Sequence, residues 1–304
     1  MQAHFTDEIP SNSLPSLESV SLSQFHGVPL RRFFEHLHNP GLKVANVFSV
    51  YVIDFQDLVV GLARFSTSLS VLSTSTIAHL DLPGVVVPGL FKNLRSLNVG
   101  CWSSRRHRCI FRLTDQAVEA LGAAMPNLSD LTLGSPTCGG LHTVTFKSLF
   151  SLSTTCQGLE RLAIQVDLLA LVQFCLVEDE SIETGTMFGG AQDNSCRLKR
   201  LVVGRSTLPD YPDSGFFVAV GLGRIFPSLS EIVGHPGWSE VERYITMSRK
   251  ALRAVQIVGQ QWGYRGGKSP CYCQPTRRVR SFTRYFSICS VSLLFDRTRA
   301  IQCL

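Results

Sequence analysis

The chain has almost none of the residue patterns that mark an enzyme. It has no Gly-x-Ser-x-Gly elbow and no His-Glu-x-x-His pair, so neither a serine nucleophile on a strand-to-helix turn nor a two-histidine zinc site is spelled out. Its ten cysteines include no Cys-x-x-Cys, the spacing most structural zinc sites use. The eight histidines are scattered; His36 and His38, two apart, would point in different directions on a helix. Charge is also scarce, with Asp, Glu, Lys and Arg at 17%. No apolar run approaches the roughly 20 residues a membrane-spanning helix needs; the best stretch, Leu168–Val177, is short and broken by Gln173. The N-terminus carries Asp7 and Glu8 with no apolar run behind them, unlike a secretory signal. These absences predict a non-enzymatic intracellular protein, cytoplasmic or nuclear. No cofactor, metal or membrane is expected, and the cysteines should be reduced and mostly buried.

Three near misses resolve the same way. Gly267-Lys268-Ser269 resembles the end of a phosphate-binding loop, but the position that must be glycine is Trp262. Cys101, His107 and Cys109 offer three metal ligands and no fourth; the basic loop around them reads as a charged lip, with Trp102, Arg105 and Arg106 as candidate contacts. Glu178, Asp179, Glu180 and Glu183 cluster without the ligand order or glycine of an EF-hand, and read as an acidic loop.

The net charge of +6 is unevenly placed. Residues 260–304 hold eight bases and one acid, giving +7, which leaves 21 bases and 22 acids, or −1, for residues 1–259. The body is near neutral and does not look like a nucleic-acid surface. The tail is an expected basic, poorly ordered extension; binding nucleic acid through it is the alternative reading.

What the chain does have is a phrase: Leu, two residues, an apolar residue, one residue, and usually another apolar residue. It begins at Leu17, Leu42, Leu69, Leu94, Leu128, Leu159, Leu198, Leu229 and Leu252, at intervals of 23 to 39 residues. The clearest copy is Leu128-Ser-Asp-Leu-Thr-Leu133 before Gly134; the copies at Leu42, Leu69 and Leu252 are weak enough to be chance matches. The two later apolar positions share one face of a strand. One such strand cannot stand alone, but strands laid side by side make a parallel sheet with a continuous core. Most intervals also carry helical periodicity, as in Leu30, Phe33, Phe34 and Leu37, or Leu58, Leu62 and Phe65. Thr114 is the expected N-cap of a helix over 115–125, with Leu113 and Val118 as its hydrophobic staple; Ser239 and Glu242 form a capping-box pair ahead of Val241. Pro126 and Pro227 discourage helix at Met125 and Phe226, so a strand should follow each.

The stretch Leu113-Thr-Asp-Gln-Ala-Val-Glu-Ala-Leu121, then Met125-Pro-Asn-Leu-Ser-Asp-Leu-Thr-Leu133, resembles a leucine-rich repeat of the fungal F-box protein type, with Cys156 standing where that family often has cysteine in the next copy. The resemblance spans about residues 14 to 259 and implies an α/β leucine-rich-repeat solenoid. This would be a horseshoe with irregular units, parallel strands on the concave face and helices on the convex face, flanked by segments 1–13 and 260–304. It also implies a protein target on the concave face, as in the substrate-recognition part of a ubiquitin ligase. No F-box is recognisable, so Skp1 is expected as a partner only if that module is missing from this sequence. A repeat adaptor without a ligase link is the alternative. By strand alternation the residues facing the partner are Asn98, Asp130, Thr132, Arg161, Gln165, Arg200 and Glu231. Their mixture of acids, bases and amides suits a protein better than a phosphate backbone.

Overall fold

The computed structural model describes residues 17–23, 30–37, 41–49, 53–75, 89–100, 113–135, 142–168, 196–210 and 214–250. The chain divides into two compact units, Met1–Glu242 and Arg243–Leu304. Of the second unit only residues 243–250 are described, and they are helical. The expected boundary at 259/260, the basic tail and the phrase at Leu252 lie outside the described residues, as do segment 1–13 and the three near-miss motifs.

The first unit is α/β. Its described strands are β1 (Ser19–Ser23), β2 (Val44–Phe48), β3 (Val71–Thr74), β4 (Ser96–Val99), β5 (Leu113–Thr114), β6 (Asp130–Leu133), β7 (His142–Thr143), β8 (Arg161–Ile164), β9 (Arg200–Gly204) and β10 (Glu231–Gly234). Its helices are α1 (Leu30–His36), α2 (Phe55–Leu62), α3 (Asp115–Ala124), α4 (Phe146–Thr155) and α5 (Ser214–Ile225). Eight strands form one parallel sheet in the order β1-β2-β3-β4-β6-β8-β9-β10, while β5 and β7 make a separate parallel pair. The order in the large sheet is the order along the chain, so each strand lies beside its predecessor.

The leucine phrase sets the register. Val20, Ala45, Leu72, Leu97, Leu131, Leu162, Leu201 and Ile232 occupy one phrase position and are direct partners across the sheet. They run from 0 to 9% exposed. The leading leucines from Leu42 to Leu229 form a second buried column. The backbone repeats with them. The carbonyl after each leading leucine accepts two N–H groups from the next phrase: Glu18 from Lys43 and Val44, Ser129 from Glu160 and Arg161, Lys199 from Ser230 and Glu231. Ser70, Ser129 and Ser230 add a hydroxyl donor to the same carbonyls. Asn93 and Asn127 tie the turns before their strands to the preceding unit at 2.6 and 2.7 Å. The backbone polarity of the strands and of the turns before them is therefore satisfied between successive repeats.

Three residues before the leading leucine stands another buried one: Phe91, Met125, Cys156 and Phe226, whose carbonyls accept the leucine N–H. Pro126 and Pro227 follow two of these and the preceding helices end before them, as their sequence requires. Cys156 takes the same backbone shape as Met125 without a proline (φ −108°, ψ 66° against −131°, 61°). Its thiol points at the carbonyls of Gly122 and Met125 in the preceding unit, and Cys196 repeats the arrangement toward Cys156 and Leu159. Burial pushes the Cys156 thiol from 9.0 up to about 11 and raises Cys196 as well. The neutral thiol is the form the fold accepts. Stability from Cys156 is therefore complete below the ordinary thiol range and is lost as pH rises from about 9 toward 11, where the unfolded thiol ionises first. Urea unfolding across that range should show the decline, with a smaller slope in Cys156→Ala. An unchanged slope would mean that the thiol contributes nothing to it.

The helices carry their own start signals. Asp54 caps α2 by accepting from Gln56 N–H at 2.8 Å, Thr114 caps α3 through Ala117 N–H at 3.2 Å, and Thr145 caps α4 through Lys147 N–H at 3.2 Å. Leu113 and Val118, the staple pair, are both fully buried. Asp115 joins two units: its carboxylate accepts the Thr145 N–H at 2.7 Å, the Thr145 hydroxyl at 2.8 Å and the Ser148 hydroxyl. Gly134 and Gly204 end their strands at φ +82° and +55°, conformations that side chains rarely adopt.

Two sequence expectations need correcting. The phrases at Leu42 and Leu69, weak enough for chance, are β2 and β3, full members of the sheet in register. The Ser239–Glu242 capping box does not form. The turn at Pro236-Gly237 starts the helix at residue 238, so Ser239 lies inside it, and its hydroxyl donates back to the Pro236 carbonyl at 2.7 Å.

Two residues past the Ala45, Leu72 and Leu97 column, Thr74 is the polar member of a further inward column, between Val47 and Val99. It is 1% exposed and its hydroxyl has no hydrogen-bond partner. Thr74→Val keeps the shape and removes an unpaid desolvation penalty, so it should stabilise the protein by about 1 kcal/mol. A higher urea midpoint at unchanged m-value is the expected result; a lower one would mean the hydroxyl is bonded in solution.

Candidate functional site

Strand alternation leaves one set of side chains on the face of the sheet opposite the leucines. Two rows cross it. The first runs Ser19, Val44, Val71, Ser96, Asp130, Arg161, Arg200, Glu231, and the second runs Ser21, Asn46, Ser73, Asn98, Thr132, Ala163, Val202, Val233. These residues are half-buried to exposed. Over β1 to β4 both rows are uncharged. Over β6 to β10 the first row is wholly ionic and the second turns from Thr132 to the apolar Ala163, Val202 and Val233.

The ionic row is paired within itself. Arg161 Nη2 lies 2.6 Å from Asp130 Oδ2, and Arg200 Nε lies 3.4 Å from Glu231 Oε1. The two arginines are direct register partners, so the order across the strands is acid, base, base, acid. The Arg161 side chain is 64% exposed and that of Arg200 48%, so each pair contributes only about 0–1 kcal/mol and the groups stay accessible. One phrase position earlier, Glu18–Lys43 and Glu160–Lys199 make further ion pairs at 2.7 and 3.2 Å.

Of the residues expected to meet a partner, the fold therefore brings Asp130, Arg161, Arg200 and Glu231 into one row and sets Asn98 beside Thr132 in the next. Gln165 departs from expectation. It follows β8, is only 8% exposed, and donates its amide to the Ser135 carbonyl at 3.3 Å. It helps line a dent with Gly134, Ser135 and Gly204 whose free volume suits about one water molecule. Trp102, Arg105 and Arg106 lie outside the described residues. Ser21, Asn46 and Ser73, which continue the row through Asn98, and the apolar patch Ala163, Val202 and Val233 lie on the same face beyond the expected set. The same alternation applied to every copy of the phrase finds all of them.

Among the described residues, no group of three His, Cys, Asp or Glu is placed to hold a metal, and no helix is long and apolar enough to cross a membrane. No protein-family model matches the chain, and no curated protein matches it.

Proposed function

We propose that the first unit is a leucine-rich-repeat solenoid of the horseshoe kind, with strands on the concave face and helices on the convex, and that it works as a non-enzymatic protein-binding scaffold. The observation that carries this reading is the register: one phrase, returning in chain order, lays its inward residues side by side and leaves an accessible face of mixed uncharged and ionic side chains. That composition fits a protein surface, which is recognised by a mosaic of polar and apolar contacts. It fits a phosphate backbone poorly, since the arginines on it are already opposed by acids.

The narrower reading, receptor for the substrates of a ubiquitin ligase, is supported by the resemblance of residues 113–133 to F-box protein repeats. Its test is recovery of Skp1 by pulldown of the full-length gene product; Skp1 at background level there would remove it and leave the scaffold reading intact.

The scaffold reading is tested by site-specific photocrosslinking. A photoreactive residue at Asn98 or Thr132 should capture a polypeptide partner in cells, and one at Lys147 on α4, whose side chain is 73% exposed, should not. Equal capture from both sides, or none from the sheet face, would contradict it.

A further inference from the structure

The centre of the ionic row points to a more specific ligand. Arg161 and Arg200 are direct partners on adjacent parallel strands, both exposed, with no acid between them. Like charges placed opposite each other on a sheet repel. The neighbouring acids draw on the outer sides of the pair, Asp130 beside Arg161 and Glu231 beside Arg200. On its inner side the pair presents two guanidiniums side by side, a placement in which one carboxylate can accept from both. Lys199, which immediately precedes β9, is engaged by Glu160 at 3.2 Å.

Two residues further along the same strands and on the same face lie Ala163 and Val202, again direct partners, with Val233 beside them at 38% exposure. The step from the arginines to this apolar patch is the two-residue repeat of a strand. An extended peptide lying along β8 and β9 has that same repeat between its own alternate side chains.

Resting on the scaffold reading above, we propose that the face over β8 and β9 binds an extended protein segment carrying Asp or Glu, with an aliphatic residue two positions away. The carboxylate sits between Arg161 and Arg200, and the aliphatic side chain lies on Ala163, Val202 and Val233. The ligand is a protein segment rather than a nucleic acid because the row offers one anion position bounded by acids on both sides, where a phosphate chain would meet Asp130 or Glu231 next.

The test uses the full chain and a synthetic array of short peptides in which Asp or Glu is followed two positions on by Val, Leu or Ile, with matched Asn and Gln peptides as controls. The acidic peptides should be retained over their amide controls. Arg161→Gln with Arg200→Gln should weaken that retention about tenfold, the scale of two lost solvent-exposed charge pairs. Asp130→Asn with Glu231→Gln should strengthen it severalfold by releasing the arginines, a gain that a purely structural ion-pair row would not give. No preference for acid, or equal retention by the arginine variant, would overturn the proposal. So would retention of single-stranded DNA in place of peptides with a steep salt dependence. Photocrosslinked partners that the arginine variant still captures would overturn this acid-specific inference alone and leave the scaffold reading standing.

Discussion

Leu131→Ala should destabilise the protein by about 3–4 kcal/mol, the cost of emptying a fully buried leucine site whose surroundings cannot collapse. Leu131 is 0% exposed and sits on β6, with Leu97 on one side and Leu162 on the other in the same phrase position. Both neighbours are pinned by the backbone rungs at Arg95 and Ser129, which accept the N–H groups of Ser129–Asp130 and Glu160–Arg161. The cavity therefore stays open. Urea unfolding followed by circular dichroism measures the loss. A cost under about 1 kcal/mol, the scale of an ordinary surface change, would mean that Leu131 is not in a packed interior.

Trp238→Ala should cost about as much, roughly 3–5 kcal/mol for a buried aromatic. Trp238 is 2% exposed, and its indole N–H donates to the Ser206 carbonyl at 2.8 Å. The Ser206 hydroxyl oxygen in turn accepts the Val166 N–H at 2.8 Å, which ties it to the chain after β8. Over Gly234 the ring is so close that an added Cβ would lie 2.9 Å from it. Removing the indole leaves a cavity and an unpartnered carbonyl together. Trp238→Phe separates the two effects: it fills most of the space and loses only the hydrogen bond, so it should recover more than half of the stability. If alanine and phenylalanine cost the same, packing is not what the indole supplies.

The fold was legible where the phrase is written in large side chains. Leu97, Leu131, Leu162 and Leu201 stand out against polar neighbours, and their strands are where the alternation puts them. In β2 the inward residues are Ala45 and Val47, and in β3 Leu72 and Thr74; a small residue and a hydroxyl blur the pattern although both strands pair in full register. Their evidence was positional, since the rungs at Glu18 and Lys43 depend on backbone groups that no side chain announces. The site was legible residue by residue and not as a set. Alternation names Asp130, Arg161, Arg200 and Glu231, but their pairing depends on register across strands some 30 residues apart in sequence. Gln165 departs from the alternation because it lies just past β8, where strand geometry no longer decides exposure and the amide turns to the Ser135 carbonyl. The Ser239 box failed for a similar reason: its spacing is right, but Pro236 and Gly237 start the helix too early for it.

The central claim is that neighbouring units hold each other up through phrase positions in register, and a pair of double-mutant cycles tests it most directly. Leu131→Ala combined with Leu162→Ala removes direct partners on adjacent strands; Leu131→Ala combined with Ile232→Ala removes residues three strands apart in the sheet. The adjacent pair should show a coupling above about 0.5 kcal/mol, and the distant pair should add within about 0.5 kcal/mol. Additivity in the adjacent pair, or equal coupling in both, would contradict the stacked register.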